Sequence, residues 1–477
     1  MRRLTQIALL FFSLSYSVFA QDSLGVVDQE TTQIFTQEQL LWYIKNYHPI
    51  AFQGNLLASQ GESTVRAARG GFDPKLYGSL GQKQFEDKEY YSLLDAGLKV
   101  PTWYGIEVKT GFEQNRGLFL NPENNVPQGG LWFGGLSVTL GQGLFIDERR
   151  AVLKQAQIYS ESTVAEQRAL MNELYFDAIK QYWKWVQAFN EYRVFEESVE
   201  LATVRFEGVR DSYLFGDKPA IDTLEAKILI QNRELSRNES LLNYQNATFE
   251  LSNFLWFENN TPLTITDALR PPRFEEIILT EPTPADTLQR IFDGLAATHP
   301  EMQLYQFKLS TLEIDRRLRA EELKPEVNLN YNFLTESVGN SFGSEVSTQN
   351  YKWGVDVNLP LFLRKERGKL QLAKFKIQNT EYGQQQKLLE IENKVLGFFN
   401  EQRTLSQQVE LYTDAVQNYG RLLDGERIKF DIGESSLFLI NSRESSLIDA
   451  RLKIISLVSK FNISSAGISY AAGSLFE

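Results

Sequence analysis

The sequence predicts a mainly α-helical protein with a smaller β part suited to a membrane, laid out as two copies of one helix–strand–helix plan. Three observations carry this reading. Apolar residues recur at coiled-coil spacing over stretches longer than any compact domain. Short segments alternate between apolar and polar residues, and the same landmarks occur twice along the 477 residues.

Arg2 and Arg3, the apolar stretch from Ile7 to Tyr16 and the small-residue site Val18-Phe19-Ala20 read as an export signal over 1–20, with the mature chain beginning near Gln21. The formal charge is -12 and grows more negative once those two arginines are removed. Without a basic excess to neutralise phosphates, a nucleic-acid partner is excluded. There is no cysteine, hence no disulfide, thiolate metal site, cysteine nucleophile or lipid-bearing N-terminal cysteine. Beyond residue 20 no uncharged apolar run reaches the roughly 18 residues of a membrane helix. Any passage through a membrane therefore uses β-strands.

The duplication is read from paired landmarks. His48-Pro49 recurs as His299-Pro300, and at the same spacing Pro74 in FDPKLYGSL recurs as Pro325 in LKPEVNLNY. GGLSVTLGQGLF at 134–145 matches WGVDVNLPLF at 353–362, and Gly216 matches Gly433. The first copy carries an insertion between Pro74 and Gly135. The repeats span 21–257 and 285–463. Between them, 258–284 holds Pro262, Pro271, Pro272, Pro282 and Pro284 and reads as an irregular connection, and 464–477 as a tail.

Each element follows from its local pattern. The first helix starts at Thr36, with Gln39 in capping-box position, and runs towards Gly70 with an interruption at His48-Pro49. Its counterpart covers about 285–323. Strands are expected over about 75–140 and 326–360. Ile106, Val108, Thr110 and Phe112 interleave with Glu107, Lys109, Gly111 and Glu113. Val327, Leu329, Tyr331 and Phe333 interleave with asparagines, and Val355, Val357 and Leu359 with Gly354, Asp356 and Asn358. The insertion adds Leu94, Ala96, Leu98 and Val100 alternating with Asp95, Gly97 and Lys99 before a turn at Pro101, a hairpin with one lipid-compatible face. Trp103, Trp132, Tyr351 and Trp353 fall near strand ends, as interfacial aromatics do.

Long helices are expected at 147–215 and 219–257, and again at 363–432 and 435–463. The first has no proline and, at about 1.5 Å per residue, measures roughly 100 Å. Tyr182, Trp185, Phe189, Tyr192, Phe195, Val199, Ala202, Phe206, Val209 and Tyr213 alternate spacings of three and four. Val409, Tyr412, Val416, Tyr419, Leu423, Glu426 and Phe430 repeat that register at one constant offset, with Glu426 its single polar member.

Each long helix ends in a glycine turn and reverses, in YLFGDKPAIDTLEA at 213–226 and FDIGESSLFLINSR at 430–443. Gly216 and Gly433 suit the left-handed position after a helix, and Pro219, or Ser435 and Ser436, the restart. With the duplication, the paired His-Pro, the strand pairs and the G-x5-D-x-L-x-A pattern at Gly216, Asp222, Leu224 and Ala226, the chain resembles the TolC-like outer-membrane efflux protein family over residues 35–465. That resemblance implies a homotrimer in the outer-membrane lipid of a Gram-negative bacterium. Its trimeric β-barrel would continue as a long coiled-coil α-barrel tunnel through the periplasm. It also implies an exit channel for tripartite efflux or type I secretion, with tips at Tyr213, Gly216, Asp217, Phe430, Gly433 and Glu434. These would dock on a periplasmic adaptor (membrane fusion) protein joined to an inner-membrane pump or ABC transporter. Asp222 is the implied periplasmic gate. In the second copy Leu439 holds the matching position and Ser442 replaces a second acid, leaving Glu434 nearest. The family pattern implies four strands per chain and twelve per trimer, whereas the inserted hairpin predicts six and eighteen.

No catalytic residue, cofactor or metal site is expected. The only two histidines, His48 and His299, occupy equivalent positions before proline, as a repeated helix restart requires, and no phosphate loop, HExxH or GxSxG occurs. Two other readings compete. A secreted or periplasmic coiled-coil scaffold or adhesin shares the heptads but not the strands. A carboxylate-dependent periplasmic hydrolase draws on the 61 acidic residues.

Overall fold

The computed structural model describes residues 33–266, 268–336 and 347–476, so the expected signal segment lies outside the described residues. In chain order the elements are α1 (Gln37–Tyr47), α2 (Pro49–Arg69), β1 (Lys75–Phe85), β2 (Lys88–Pro101), β3 (Ile106–Arg116), β4 (Leu131–Gly141), α3 (Glu148–Leu214) and α4 (Ala220–Ser252). After a connecting segment come α5 (Ala285–Thr298), α6 (Pro300–Glu321), β5 (Glu326–Glu336), β6 (Tyr351–Asn358), α7 (Arg364–Asp431) and α8 (Leu437–Ala471). No helix among the described residues is long and apolar enough to cross a membrane.

Local chemistry accounts for the helix boundaries. The Thr36 hydroxyl accepts the Gln39 N–H at 3.3 Å and the Gln39 side chain accepts the Thr36 N–H at 2.9 Å, a complete capping box. Both His-Pro breaks are the same device. Nδ1 of His48 accepts the Ile50 N–H, and Nδ1 of His299 accepts the Glu301 N–H, each at 3.2 Å, while the following proline opens the next helix where no N–H is needed. Both histidines are buried.

Two helix ends differ from the sequence expectation. α4 stops at Ser252 rather than near 257, because Leu255 turns into the core beside Leu251 and Trp256–Phe257 pairs with Thr261–Pro262. α8 runs past 463 to Ala471, because Ile468 and Ala471 stay buried, Tyr470 stacks on Phe176 at 4.2 Å, and Gly467 leaves room for the Phe398 ring. The connecting segment is a strap more than a loose link. Its Leu269–Arg270 pairs in parallel with Gln33–Ile34, Arg270 holds Glu276 through two hydrogen bonds at 2.7 and 2.9 Å, and Phe274 packs against the clusters of Val194, Ile448 and Ile454. The main core lies where α1 and this strap cover α3. There Trp185 is 0% exposed and donates its indole N–H to Thr248 at 2.9 Å.

The helices stand side by side in a layer one helix thick. Near the sheet the order is α2, α3, α6, α7, and beyond the strap it is α4, α3, α8, α7. The sheet order is β1-β2-β3-β4-β5-β6, antiparallel throughout. Since α2 leads into β1, β4 into α3, α6 into β5 and β6 into α7, the sheet continues the helical layer without a crossing. The chain is thus one curved wall with two open edges among the described residues, α4, α2 and β1 on one side and α7 and β6 on the other.

Register aligns the alternating residues of all six strands. Val100, Val108, Leu136, Tyr331 and Trp353 form one cross-strand row, and Ile106, Val138, Leu329 and Val355 the next on the same face. The intervening row on the other face holds Glu107, Ser137, Asn330 and Gly354, with Ser137 donating to Asn330 at 2.7 Å and Asn330 to Asp356 at 3.3 Å. From Trp132 to Leu140 the apolar face of β4 spans roughly 27 Å at about 3.4 Å per residue, near the roughly 25 Å band of membrane barrels. Residues 94–113, the inserted hairpin, lie inside this sheet as parts of β2 and β3, in line with six strands per chain.

Two outcomes follow. Burial holds the His48 and His299 imidazoles below their ordinary value of 6.5. As the pH falls below about 6.5 the unfolded chain therefore takes up protons that the folded chain refuses, and stability drops until the folded value is passed. Thermal midpoints measured at about pH 7.5 and about pH 5.5 should show the loss, and His299→Asn, which keeps a cap, should reduce it. On the sheet, Leu136→Arg should weaken folding into lipid vesicles by about 2–4 kcal/mol while Ser137→Arg, one residue away on the opposite face, changes it little.

Candidate functional site

The sequence singles out the two helix turns, and the structure builds them as one motif twice. At the end of α3 the Gly216 N–H donates to the Tyr213 carbonyl at 3.0 Å and the Asp217 N–H to Ser212 at 2.9 Å, with Gly216 at φ 86°. At the end of α7 the Gly433 N–H donates to Phe430 at 3.0 Å and the Glu434 N–H to Lys429 at 2.8 Å, with Gly433 at φ 82°. A positive φ at this point lets the orphan carbonyls be met, and glycine adopts it without steric cost. No atom lies within 4 Å of where a Cβ would stand on either glycine, so both turns face open space.

Around these turns stand large apolar side chains that pattern reasoning passed over. Leu214 and Phe215, at 70% and 84% exposed, sit on the first tip, and Ile432 and Phe438, at 65% and 68%, on the second. Their signal in the sequence was weak, because all four sit at helix ends, beside the turns, where a heptad has too few residues to be read. Tyr213 is exposed, while Phe430 packs inward. It joins Val209, Ala226 and Leu437 where α3, α4, α7 and α8 meet, with the Lys218 ammonium 4.5 Å from its ring centre. Contiguous exposed apolar groups mark interaction sites.

Asp222 and Leu439 occupy the first turns of α4 and α8, at equivalent positions after the two restarts. Pro219 precedes α4 and accepts the Asp222 N–H at 3.1 Å, while the Ser436 hydroxyl caps α8. Immediately behind lies a polar layer within the wall. Glu426, the polar member of the heptad, accepts the Ser435 hydroxyl at 2.6 Å and faces Arg443 at 3.6 Å. Foremost the serine hydroxyl, then Arg443 and Lys429, hold its carboxyl below the usual range. Its place in the seam is therefore that of a turn anchor. Across the wall Arg205 of α3 donates to Glu444 of α8 at 2.5 Å and to Asn441 at 3.0 Å, and Asn441 donates to Glu225 of α4 at 3.2 Å. Glu444 is 3% exposed, and its second oxygen has no partner among the described residues. The sequence held a clue to this pair, since Glu444 interrupts the apolar series Leu437, Ile440 and Ile448.

The four aromatics divide between the ends of the sheet. Trp103 lies in the turn between β2 and β3 at the end nearest the helices, close to Phe72, whereas Trp132, Tyr351 and Trp353 start β4 and β6 at the far end, and all four are exposed. Among the described residues no cluster of three or more histidine or carboxylate side chains is placed to hold a metal ion.

Residues 293–474, the greater part of the second repeat, match the family described as outer membrane efflux protein. No curated protein matches the chain in sequence. Among solved structures, the Campylobacter jejuni CmeC outer membrane channel aligns over 98% of this chain and 94% of its own, with TM-score 0.64 and 15% identity. The Vibrio cholerae outer membrane protein VceC aligns over 92% and 97%, with TM-score 0.66 and 14% identity. The open state of the Neisseria gonorrhoeae MtrE outer membrane channel covers 92% and 89%, with TM-score 0.68 and 13% identity. At such identities the structures speak for the fold alone, and the family match speaks for residues 293–474. The greater part of the second repeat thus resembles the outer membrane efflux protein family in sequence, and the whole wall shares its fold with outer-membrane channels.

Proposed function

We propose that three copies of this wall close edge to edge into an exit channel of the outer membrane, extending into the periplasm of a Gram-negative bacterium. The observation that carries the reading is the pair of open edges, which run the full length of the chain on the same two sides. β1 and β6 run in opposite directions, so β1 of one copy pairs antiparallel with β6 of the next, and three six-stranded sheets make an eighteen-stranded barrel. A barrel of that size leaves an aqueous passage, lined here by the polar face and wrapped in lipid by the apolar one. Below it, the helices close into a tunnel that receives cargo at the glycine turns from a periplasmic adaptor. An inner-membrane pump or ABC transporter supplies that adaptor. In this reading the exposed Leu214, Phe215, Ile432 and Phe438 dress the docking surface formed with Tyr213, Gly216, Asp217, Gly433 and Glu434, Phe430 supports it from within, and Asp222 narrows the mouth beside Leu439.

Replacing Gly216 or Gly433 by leucine costs about 1–2 kcal/mol of local backbone energy, which a wall held by long helices survives. Export of a toxic compound should fail in these variants while trimers still fractionate with the outer membrane, and normal export in both would refute adaptor docking at the turns. At the mouth, three symmetry-related Asp222 carboxylates would concentrate cations. Asp222→Asn should lower cation selectivity in planar-bilayer recordings, most clearly at low salt where screening is weak. Unchanged selectivity would leave Asp222 as a helix-start residue only.

A further inference from the structure

The polar face of the sheet sorts its charges by row. Lys75 of β1 stands opposite Lys99 of β2, Lys99 opposite Lys109 of β3, and Lys109 opposite Gly135 of β4. Gly135 then faces Asn332 of β5, and Asn332 faces Lys352 of β6. One row across all six strands thus holds four lysines and no acid. Four residues along the strands, the row of Ser79, Asp95, Glu113, Leu131 and Glu336 holds three acids and no base.

Like charges directly opposite on neighbouring strands weaken a sheet. Here they stand opposite at Lys75–Lys99, Lys99–Lys109 and Asp95–Glu113. Interleaving the signs would cost nothing in alternation and would remove the repulsion, so packing alone does not account for the sorting. Local partners offset only part of it. The Lys99 ammonium lies 4.3 Å from the Tyr77 ring centre, and Lys109 lies 3.5 Å from Glu107, which Arg149 also approaches at 3.9 Å. Lys75 and Lys352, at the two edges, are exposed and form no ion pair among the described residues. Asp356, opposite Asn328 and so four positions nearer the helices than this row, is engaged by Asn330.

The row also slants. It starts at the first residue of β1 but crosses β5 well inside the strand, so it climbs away from the helices as it crosses the wall. Neighbouring strands lie about 4.8 Å apart, which brings the ammonium groups of Lys75, Lys99 and Lys109 within reach of a single multivalent anion.

We infer that this row is an anion-binding stripe on the lumen wall, taking passengers or blockers that carry several phosphates or carboxylates. The inference rests on the trimeric-channel reading, which turns this face towards the lumen. The test uses purified full-length trimers in planar bilayers at low salt, with inositol hexakisphosphate as the probe. The wild-type current should be blocked, and the triple variant Lys75→Gln, Lys99→Gln, Lys109→Gln should raise the half-blocking concentration about tenfold or more. Lys75→Gln alone, at an exposed strand start, should shift it the same way by less, and decides the matter if the triple variant does not assemble. Equal block of wild type and variants, or no block of the wild type, would overturn the stripe and leave the channel intact. A wild-type protein that conducts no ions would overturn both.

Discussion

Backbone amides at the edge of a sheet have no water to bond within a bilayer, and a helix roughly 100 Å long cannot be stabilised by its own propensity. In the proposed channel both problems belong to this chain at once, because it is a wall one element thick from the glycine turns to the far end of the sheet. Its strap and α1 build a core around Trp185, Leu40 and Ile44, yet that core covers only one stretch of α3. Everywhere else, in the proposed trimer, the wall is completed from its edges. Closure by copies of itself answers the edge strands and the outer helices together, since β1 continues α2 and β6 continues into α7.

The same constraint gives the sheet register its importance. Side chains alternate with a period of two, so slipping one strand by one residue would place asparagines in lipid and valines in water. Hydrogen bonds such as Ser137 to Asn330 and Thr139 to Asn328 lock β4 against β5 on the polar side, where the two repeats join. The seam between the copies is thereby also a seam within the sheet. Once the apolar rows are set, the charged rows on the opposite face are set with them.

At the other end the wall is held differently. There a small apolar cluster of Val209, Ala226 and Leu437 is joined by polar contacts between helices: Ser435 and Arg443 on Glu426, and Arg205 on Glu444. A buried ion pair is a poor source of net stability but a strict one of geometry, because breaking it leaves a charge unpaired in a dry place. Such contacts position the tips of α3–α4 and α7–α8 relative to one another while leaving the outermost apolar groups free.

What the sequence determined by itself is whatever depends on near neighbours. A capping box at Thr36, a helix restart at each His-Pro, a left-handed glycine after each long helix, a period of two in strands and of three and four in helices are all local, and the structure holds each of them. The inserted hairpin was legible for the same reason. Where a helix stops was less so: α4 ends early and α8 late because Leu255, Tyr470 and Gly467 answer to partners distant in sequence. Only the tertiary structure decided which strand lies beside which, that Gly135 faces Asn332, that four lysines fall in one row, and that Glu444 meets Arg205. These are pairings between residues far apart along the chain. Their energies depend on distance in space, which no local period encodes.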